Sequence, residues 1–290
     1  MSQPLLTSFR RYLGRRHFSG YTVRHDLHAV AQVHQVVDQA LPAVTAADVA
    51  RVVEHLQAQG VAAKTIHGKL SAVRQFYEYL RHDHMPGLVN PVRQRDFLKE
   101  PRPLPCAASD GELINIWAQI RSARDRALFL VLLRSGIRVS EVVGLEIMDV
   151  DLWRHTLRVR EGKNRRERLV YLSPDTAGVL AEYLEQRGWP RAGKLFVSDK
   201  GRTQGQSLSI RGVQKRIEGY ARCAGVRVSC HRLRHSLATQ LLNQGVRLVV
   251  VQELLGHATV TSTQRYARLA NRRVREEYFA GMQKILGATV

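Results

Sequence analysis

Residues 157–172 read Leu157-Arg-Val-Arg-Glu-Gly-Lys163-Asn-Arg-Arg-Glu-Arg168-Leu-Val-Tyr-Leu172. Residues 157–160 and 168–172 are β-compatible, and they flank the polar turn 161–167. On either side the pattern is helical. This stretch therefore decides the fold class: mainly α, with a small antiparallel β-sheet set into an otherwise helical domain.

Working outward, residues 110–135 upstream are helical in period, and helices resume downstream near 177–187, 209–224, 232–243, 248–255, 262–269 and 272–285. Further toward the N-terminus, helices are expected at 4–16, at 21–37, from Thr45 to Gly60, and at 64–81. Thr45-Ala-Ala-Asp48 approximates a capping box, in which the threonine hydroxyl accepts an N–H of the first turn. In the fourth helix Ile66, Leu70, Val73, Phe76, Tyr77 and Leu80 recur three or four apart, with Lys64, His67, Lys69 and Arg74 on other faces. Between His84 and Ser109 the period is lost at Pro86, Gly87, Pro91, Pro101, Pro103 and Pro105. The reading is a helical domain over 1–84, a proline-rich linker over 85–109 and a second, mixed α/β domain with a helical tail over 110–290.

The 290 residues carry 45 Lys and Arg against 25 Asp and Glu, a net charge of +20 that fits a polyanionic partner. Divided after Pro105, the first part has 14 basic and 8 acidic residues (+6) and the second 31 and 17 (+14). Both modules are basic, as expected if they share one long ligand. No window offers the roughly 18 apolar residues of a membrane span, and Met1-Ser2-Gln3-Pro4 does not open a signal peptide. A soluble, cytoplasmic and nucleoid-associated protein is expected. Cys106, Cys223 and Cys230 are too few and too irregular for a disulfide framework or a four-thiolate zinc site.

Four segments carry chemistry: Ser135-Gly-Ile-Arg138-Val-Ser-Glu141, Glu161-Gly-Lys163-Asn, His231-Arg-Leu-Arg234-His235, and Leu254-Leu-Gly-His257 with Tyr266 nine residues on. Their order and spacing resemble the tyrosine recombinase (phage integrase) family over roughly 109–269. The family's catalytic set is two arginines, a lysine on a β-hairpin, two histidines and a nucleophilic tyrosine. Arg138, Lys163, His231, Arg234, His257 and Tyr266 match it in order. The N-terminal part is similar only in helical organisation. Because the chain starts almost directly with those helices, the simple Xer-type members are the nearest resemblance.

A phosphodiester attacked by a tyrosine oxygen must spread added negative charge over its nonbridging oxygens. Guanidinium forks stay charged and present paired donors, so Arg138 and Arg234 are assigned to the phosphate, and Glu141, one turn past Arg138, can orient it. His231 and Arg234, three apart at a helix start, share a face, and His257 follows the apparent C-cap Gly256. The resemblance implies that His231 handles the tyrosine proton and orients the phosphate. It implies also that His257 donates to a nonbridging oxygen and that Lys163 protonates the departing 5′ oxygen. Arg165, Arg166 and Arg168 crowd the same loop, so Lys163 can also be read as one member of a phosphate-contacting run. Tyr266 would displace the 5′-hydroxyl and store the bond energy as a 3′-phosphotyrosyl ester, so that rejoining needs no ATP. His231 and His235 form an H-x-x-x-H pair, but Arg232 stands where a zinc protease has glutamate, and cations flank both rings. Neither a metal nor any other cofactor is expected.

Val274, Tyr278, Met282 and Ile285 make an apolar stripe near the chain end. It packs either on its own domain or on a neighbouring protomer. The resemblance implies a clamp of two domains around duplex DNA and a working complex of four protomers on paired sites, exchanging strands through a Holliday junction. That complex would be a homotetramer or a heterotetramer with a related recombinase, with accessory DNA-bending proteins as candidate partners. Integration, excision and dimer or cointegrate resolution share this chemistry and stay open. Two other readings are a topoisomerase IB-like relaxing enzyme and a DNA-binding regulator that no longer cuts.

Overall fold

The computed structural model describes residues 2–37, 39–99, 107–160, 167–199, 201–256 and 267–287. The chain divides into two compact units, Met1–Arg102 and Pro103–Val290. Among the described residues no helix is long and apolar enough to cross a membrane.

The first unit contains α1 (Ser2–Arg15), α2 (Gly20–Val37), α3 (Ala46–Ala58) and α4 (Ala63–Asp83). All six apolar residues spaced along α4 are buried, and they meet Phe9 and Leu13 of α1 and Val30 and Val33 of α2. The start of α3 is a full capping box: Thr45 N donates to Asp48 Oδ2 at 2.8 Å, and Thr45 Oγ1 accepts from Asp48 N at 3.4 Å. The Thr45 hydrogen bonds, with help from Arg51, hold the Asp48 carboxyl down to about 2. The structure differs from the sequence expectation in the stretch read as linker. Leu88, Val92, Phe97 and Leu98 pack into the first core, with Val92 only 4% exposed. Proline and glycine remove helical period without preventing burial, so an irregular segment can still cover a core. Residues 100–106, which hold the alternating prolines and Cys106, lie outside the described residues.

The second unit opens with α5 (Asp110–Gln119) and α6 (Ala123–Ser135). The helical period over 110–135 predicts one continuous helix here. The break falls at Ile120, which is extended (φ −88°, ψ 115°) and fully buried. Both helices keep apolar residues in phase, so periodicity alone does not reveal the break. Twelve of the thirteen residues of α6 are buried, as befits a helix enclosed on every side. After α7 (Val139–Gly144) comes an antiparallel sheet of β1 (Val150–Asp151), β2 (Thr156–Val159) and β3 (Arg168–Tyr171) in the order β1-β2-β3. Leu157 pairs with Val170 and Val159 with Arg168. Leu157, Val159 and Val170 are buried, so Arg168 lies on the inward face of the sheet.

Among the described residues five α-helices follow: α8 (Pro174–Gln186), α9 (Ile210–Cys223), α10 (Cys230–Asn243), α11 (Leu248–Leu255) and α12 (Ala267–Gly287). The sequence predicts two separate terminal helices, at 262–269 and 272–285. The described part is instead one helix, α12, that runs without interruption through 269–272. The apolar stripe of the tail packs on its own unit: Tyr278, Met282 and Ile285 join Leu237 and Leu241 of α10 and Val250, Val251, Leu254 and Leu255 of α11. Tyr278 Oη donates to Arg134 O at 2.8 Å.

Candidate active site

The site is built where α6, α7, α10 and α11 end or begin. Helix α6 stops at Gly136, whose φ of +62° suits glycine, and a Cβ there would lie 2.7 Å from Leu255 Cδ2 and 3.0 Å from Leu237 Cδ2. This close approach carries the end of α11 onto the end of α6. The carbonyls of Gly136 and Leu255 are thereby brought to one guanidinium.

That guanidinium is Arg234. Ser229 caps α10, accepting from Arg232 N, and Cys230, Leu233, Leu237 and Leu241 form the buried stripe of the helix. Arg234 stands in this stripe and is 5% exposed. Its Nη1 donates to Gly136 O at 2.5 Å and its Nη2 to Leu255 O. Both acceptors are neutral, so hydrogen bonds are satisfied while the charge is not. Burial, followed by the nearby charge of Arg138, pushes the Arg234 guanidinium down to about 10.

Arg138 is the N-cap residue of α7, and its N–H donates to Glu141 Oε2 at 2.7 Å. Its Nη1 donates to Glu141 Oε1 at 3.0 Å and its Nη2 to Gly256 O at 3.2 Å. Glu141 also receives a second fork: Arg168 Nη1 to Oε1 at 2.9 Å and Nη2 to Oε2 at 2.8 Å. Burial works against the charged form of Glu141, yet the bonds from Arg168 and Arg138 hold its carboxyl below the usual range. Arg138 and Arg168 thus share the Glu141 carboxylate while Arg234 bonds only carbonyls, so three guanidinium groups stand against one carboxylate with a surplus of two positive charges.

His231 lies one turn before Arg234 and is exposed. Its Nε2 is 2.9 Å from His235 Nε2, and the two rings meet edge to face. Of the six residues named from the sequence, the structure brings Arg138 and Arg234 together at the end of α11 and places His231 on α10. Lys163, His257 and Tyr266 lie outside the described residues. In the chain, Lys163 falls between β2 and β3, His257 follows Gly256, and Tyr266 precedes α12. Among the described residues no group of three or more His, Cys, Asp or Glu side chains is placed to share a metal ion. By sequence Arg168 is one more cation of a crowded loop. The alternation of Arg168 with buried Val170 and Leu172 is the signal that marks it as inward-facing.

Paired forked cations with surplus charge are chemically suited to a phosphate-like anion. Comparison with known proteins gives the class its identity. Residues 111–273 match the Phage integrase family, and residues 6–84 match the Phage integrase N-terminal SAM-like domain. The tyrosine recombinase XerA of Thermococcus kodakarensis is 31% identical over 99% of this chain and 100% of its own length. The tyrosine recombinase XerD of Pseudomonas aeruginosa is 36% identical over 75% of each chain. Among solved structures, that of a XerA recombinase is 28% identical, covers 96% of this chain and 98% of its own, and superposes with a TM-score of 0.51. The fold is also that of lambda integrase solved as a tetramer on a Holliday junction, with a TM-score of 0.70 over 90% of this chain and 79% of that one at 18% identity. The chain belongs to the phage integrase family and is a Xer-like tyrosine recombinase, an enzyme of site-specific DNA recombination. The relaxing-enzyme and non-cutting readings are not favoured.

Proposed function

We propose that Tyr266 is the nucleophile of this recombinase and that the group it attacks is held by Arg138 and Arg234. The observation that carries this reading is the surplus charge at the end of α11, where two guanidinium groups bond only one carboxylate oxygen and neutral carbonyls on the adjoining turns. In the reaction the phenolic oxygen of Tyr266 bonds to phosphorus while the bond from phosphorus to the 5′ oxygen breaks. His231 takes the phenolic proton, Lys163 gives one to the departing 5′ oxygen, and His257 donates to a nonbridging oxygen. Reversal by another strand's 5′-hydroxyl reseals the DNA, so the bond energy stays in the ester throughout.

The helical unit and the catalytic unit, both basic, serve as the two DNA-contacting modules, with the boundary in the proline-rich stretch. Four protomers, of this chain alone or with a related recombinase, would exchange strands in pairs through a Holliday junction on nucleoid DNA in the cytoplasm. Accessory DNA-bending proteins would set the geometry of the synapse. The tetrameric, junction-bound lambda integrase of like fold supports this reading.

The test uses nicked duplexes with randomised arms, from which sequences that trap a covalent protein–DNA adduct are selected. The expected adduct is lost in Tyr266→Phe. An adduct of unchanged yield in that variant would sink the assignment.

A further inference from the structure

Glu141 is the most heavily used acceptor of the site. Its side chain is 2% exposed, and its two oxygens take four N–H groups, which uses the whole capacity of a carboxylate. Arg168 supplies the parallel, two-bond fork. Arg138 supplies one side-chain bond and its backbone N–H, and its other terminal nitrogen turns to Gly256 O. Arg138 is also the more open of the two, at 30% side-chain exposure against 17%. The arginine that neutralises Glu141 face-on is therefore the one less able to reach a ligand.

Arg168 is fixed from two further sides. Its place on the inward face of β3 is set by the register with Val159, and its guanidinium lies over Gly256, where a Cβ would come within 3.0 Å of Nε and 3.2 Å of Cζ. A carboxylate deprived of that fork while buried would turn to the nearest guanidinium left, which is Arg138. Arg138 would then spend its planar fork on Glu141.

We propose that Arg168 is a positioning residue whose bidentate hold on Glu141 keeps Arg138 available for the scissile phosphate. The proposal rests on the assignment of Arg138 to that phosphate. It also gives the strand that follows the Lys163 loop a direct mechanical tie to the arginine pair, through Glu141 and the turn before His257.

Adduct formation on the selected nicked duplexes tests it with Arg168→Met, Glu141→Gln and the double variant. The expected result is a loss of about tenfold or more for R168M, the order expected when a charge-assisted fork on the reacting group is misdirected. E141Q loses only a few-fold, and the double variant recovers to the rate of E141Q, because an uncharged amide no longer captures Arg138. A double variant as slow as R168M, or slower, would show that Arg168 merely supports the fold and would overturn the proposal. So would R168M cleaving at the wild-type rate. Should R168M fail to fold, Arg168→Lys keeps the charge without the fork. A smaller loss, again relieved by E141Q, is then expected, and an unrelieved loss counts against the idea. Arg138→Ala on the same duplexes separates the two layers: wild-type adduct formation in that variant would refute the phosphate assignment itself and the proposal with it.

Discussion

Arg138 and Arg234 hold consecutive carbonyl oxygens: Arg138 Nη2 donates to Gly256 O and Arg234 Nη2 to Leu255 O. The two guanidinium groups come from helices separated by nearly a hundred residues, and the last turn of α11 sets their spacing. A planar fork can bond a carbonyl with one edge and keep donors for an anion. The end of α11 therefore orients both cations within the folded chain.

Arg234→Lys keeps a charge but cannot bridge Gly136 O and Leu255 O. Adduct formation is expected to fall by about 10²–10³, the effect of removing one preorganised donor from a developing anion. Measurement under single-turnover conditions, with circular dichroism to verify folding, checks it. A rate within threefold of wild type would argue against Arg234 as a phosphate ligand.

Lys163→Ala is expected to slow cleavage of ordinary duplex by about 10²–10⁴, the range for loss of a general acid. A bridging 5′ sulfur leaves as a thiolate and needs no proton. The variant should therefore recover most of its rate on that substrate while Tyr266→Phe does not. Equal defects on both substrates would leave Lys163 a phosphate contact.

Gly136→Ala places a Cβ in a left-handed backbone and against Leu255 and Leu237. The left-handed penalty and the overpacking together cost roughly 2–5 kcal/mol. A lower melting temperature of the catalytic unit is expected, with adduct formation reduced even at temperatures where the variant is folded. Unchanged melting would contradict the close packing of α6 on α11.

Tyr220 Oη donates to Asp125 Oδ2 at 2.6 Å, and burial together with that carboxylate pushes the phenol up to about 12. The folded state thus holds its proton more tightly than the unfolded chain, whose tyrosines titrate near 10. The stabilisation is complete below about pH 10 and is lost as pH rises toward 12. Tyr220→Phe should lose less stability over that alkaline window than the wild type does, as read by denaturant midpoints at successive pH values. Parallel decline in both proteins would show that this pair does not set the alkaline limit.

Local chemistry made much of the chain legible. The capping box at Thr45 and Asp48, the buried stripe of α4 and the pairing of β2 with β3 depend on neighbours close along the backbone. The stabilising contacts are thus written into short spacings. The break at Ile120 was not legible, because two helices with apolar residues in phase look like one. The burial of Leu88 to Leu98 on the first core was hidden for a related reason, since proline erases period but not hydrophobic area.

For the site, the residues in chain order show which groups are present, since a phosphoryl transfer through tyrosine demands forked cations, proton-transfer groups and a phenol. The sequence left the tail stripe with two partners, and within the single chain Tyr278 and Met282 pack on α10 and α11. Strand alternation could turn Arg168 inward, but only the assembled fold sets it against Glu141 and leaves Arg138 the more open of the two, at 30% side-chain exposure. The reason is physical: a carboxylate chooses between two guanidinium groups by geometry, and that geometry exists only once β3, α7 and the end of α11 have met.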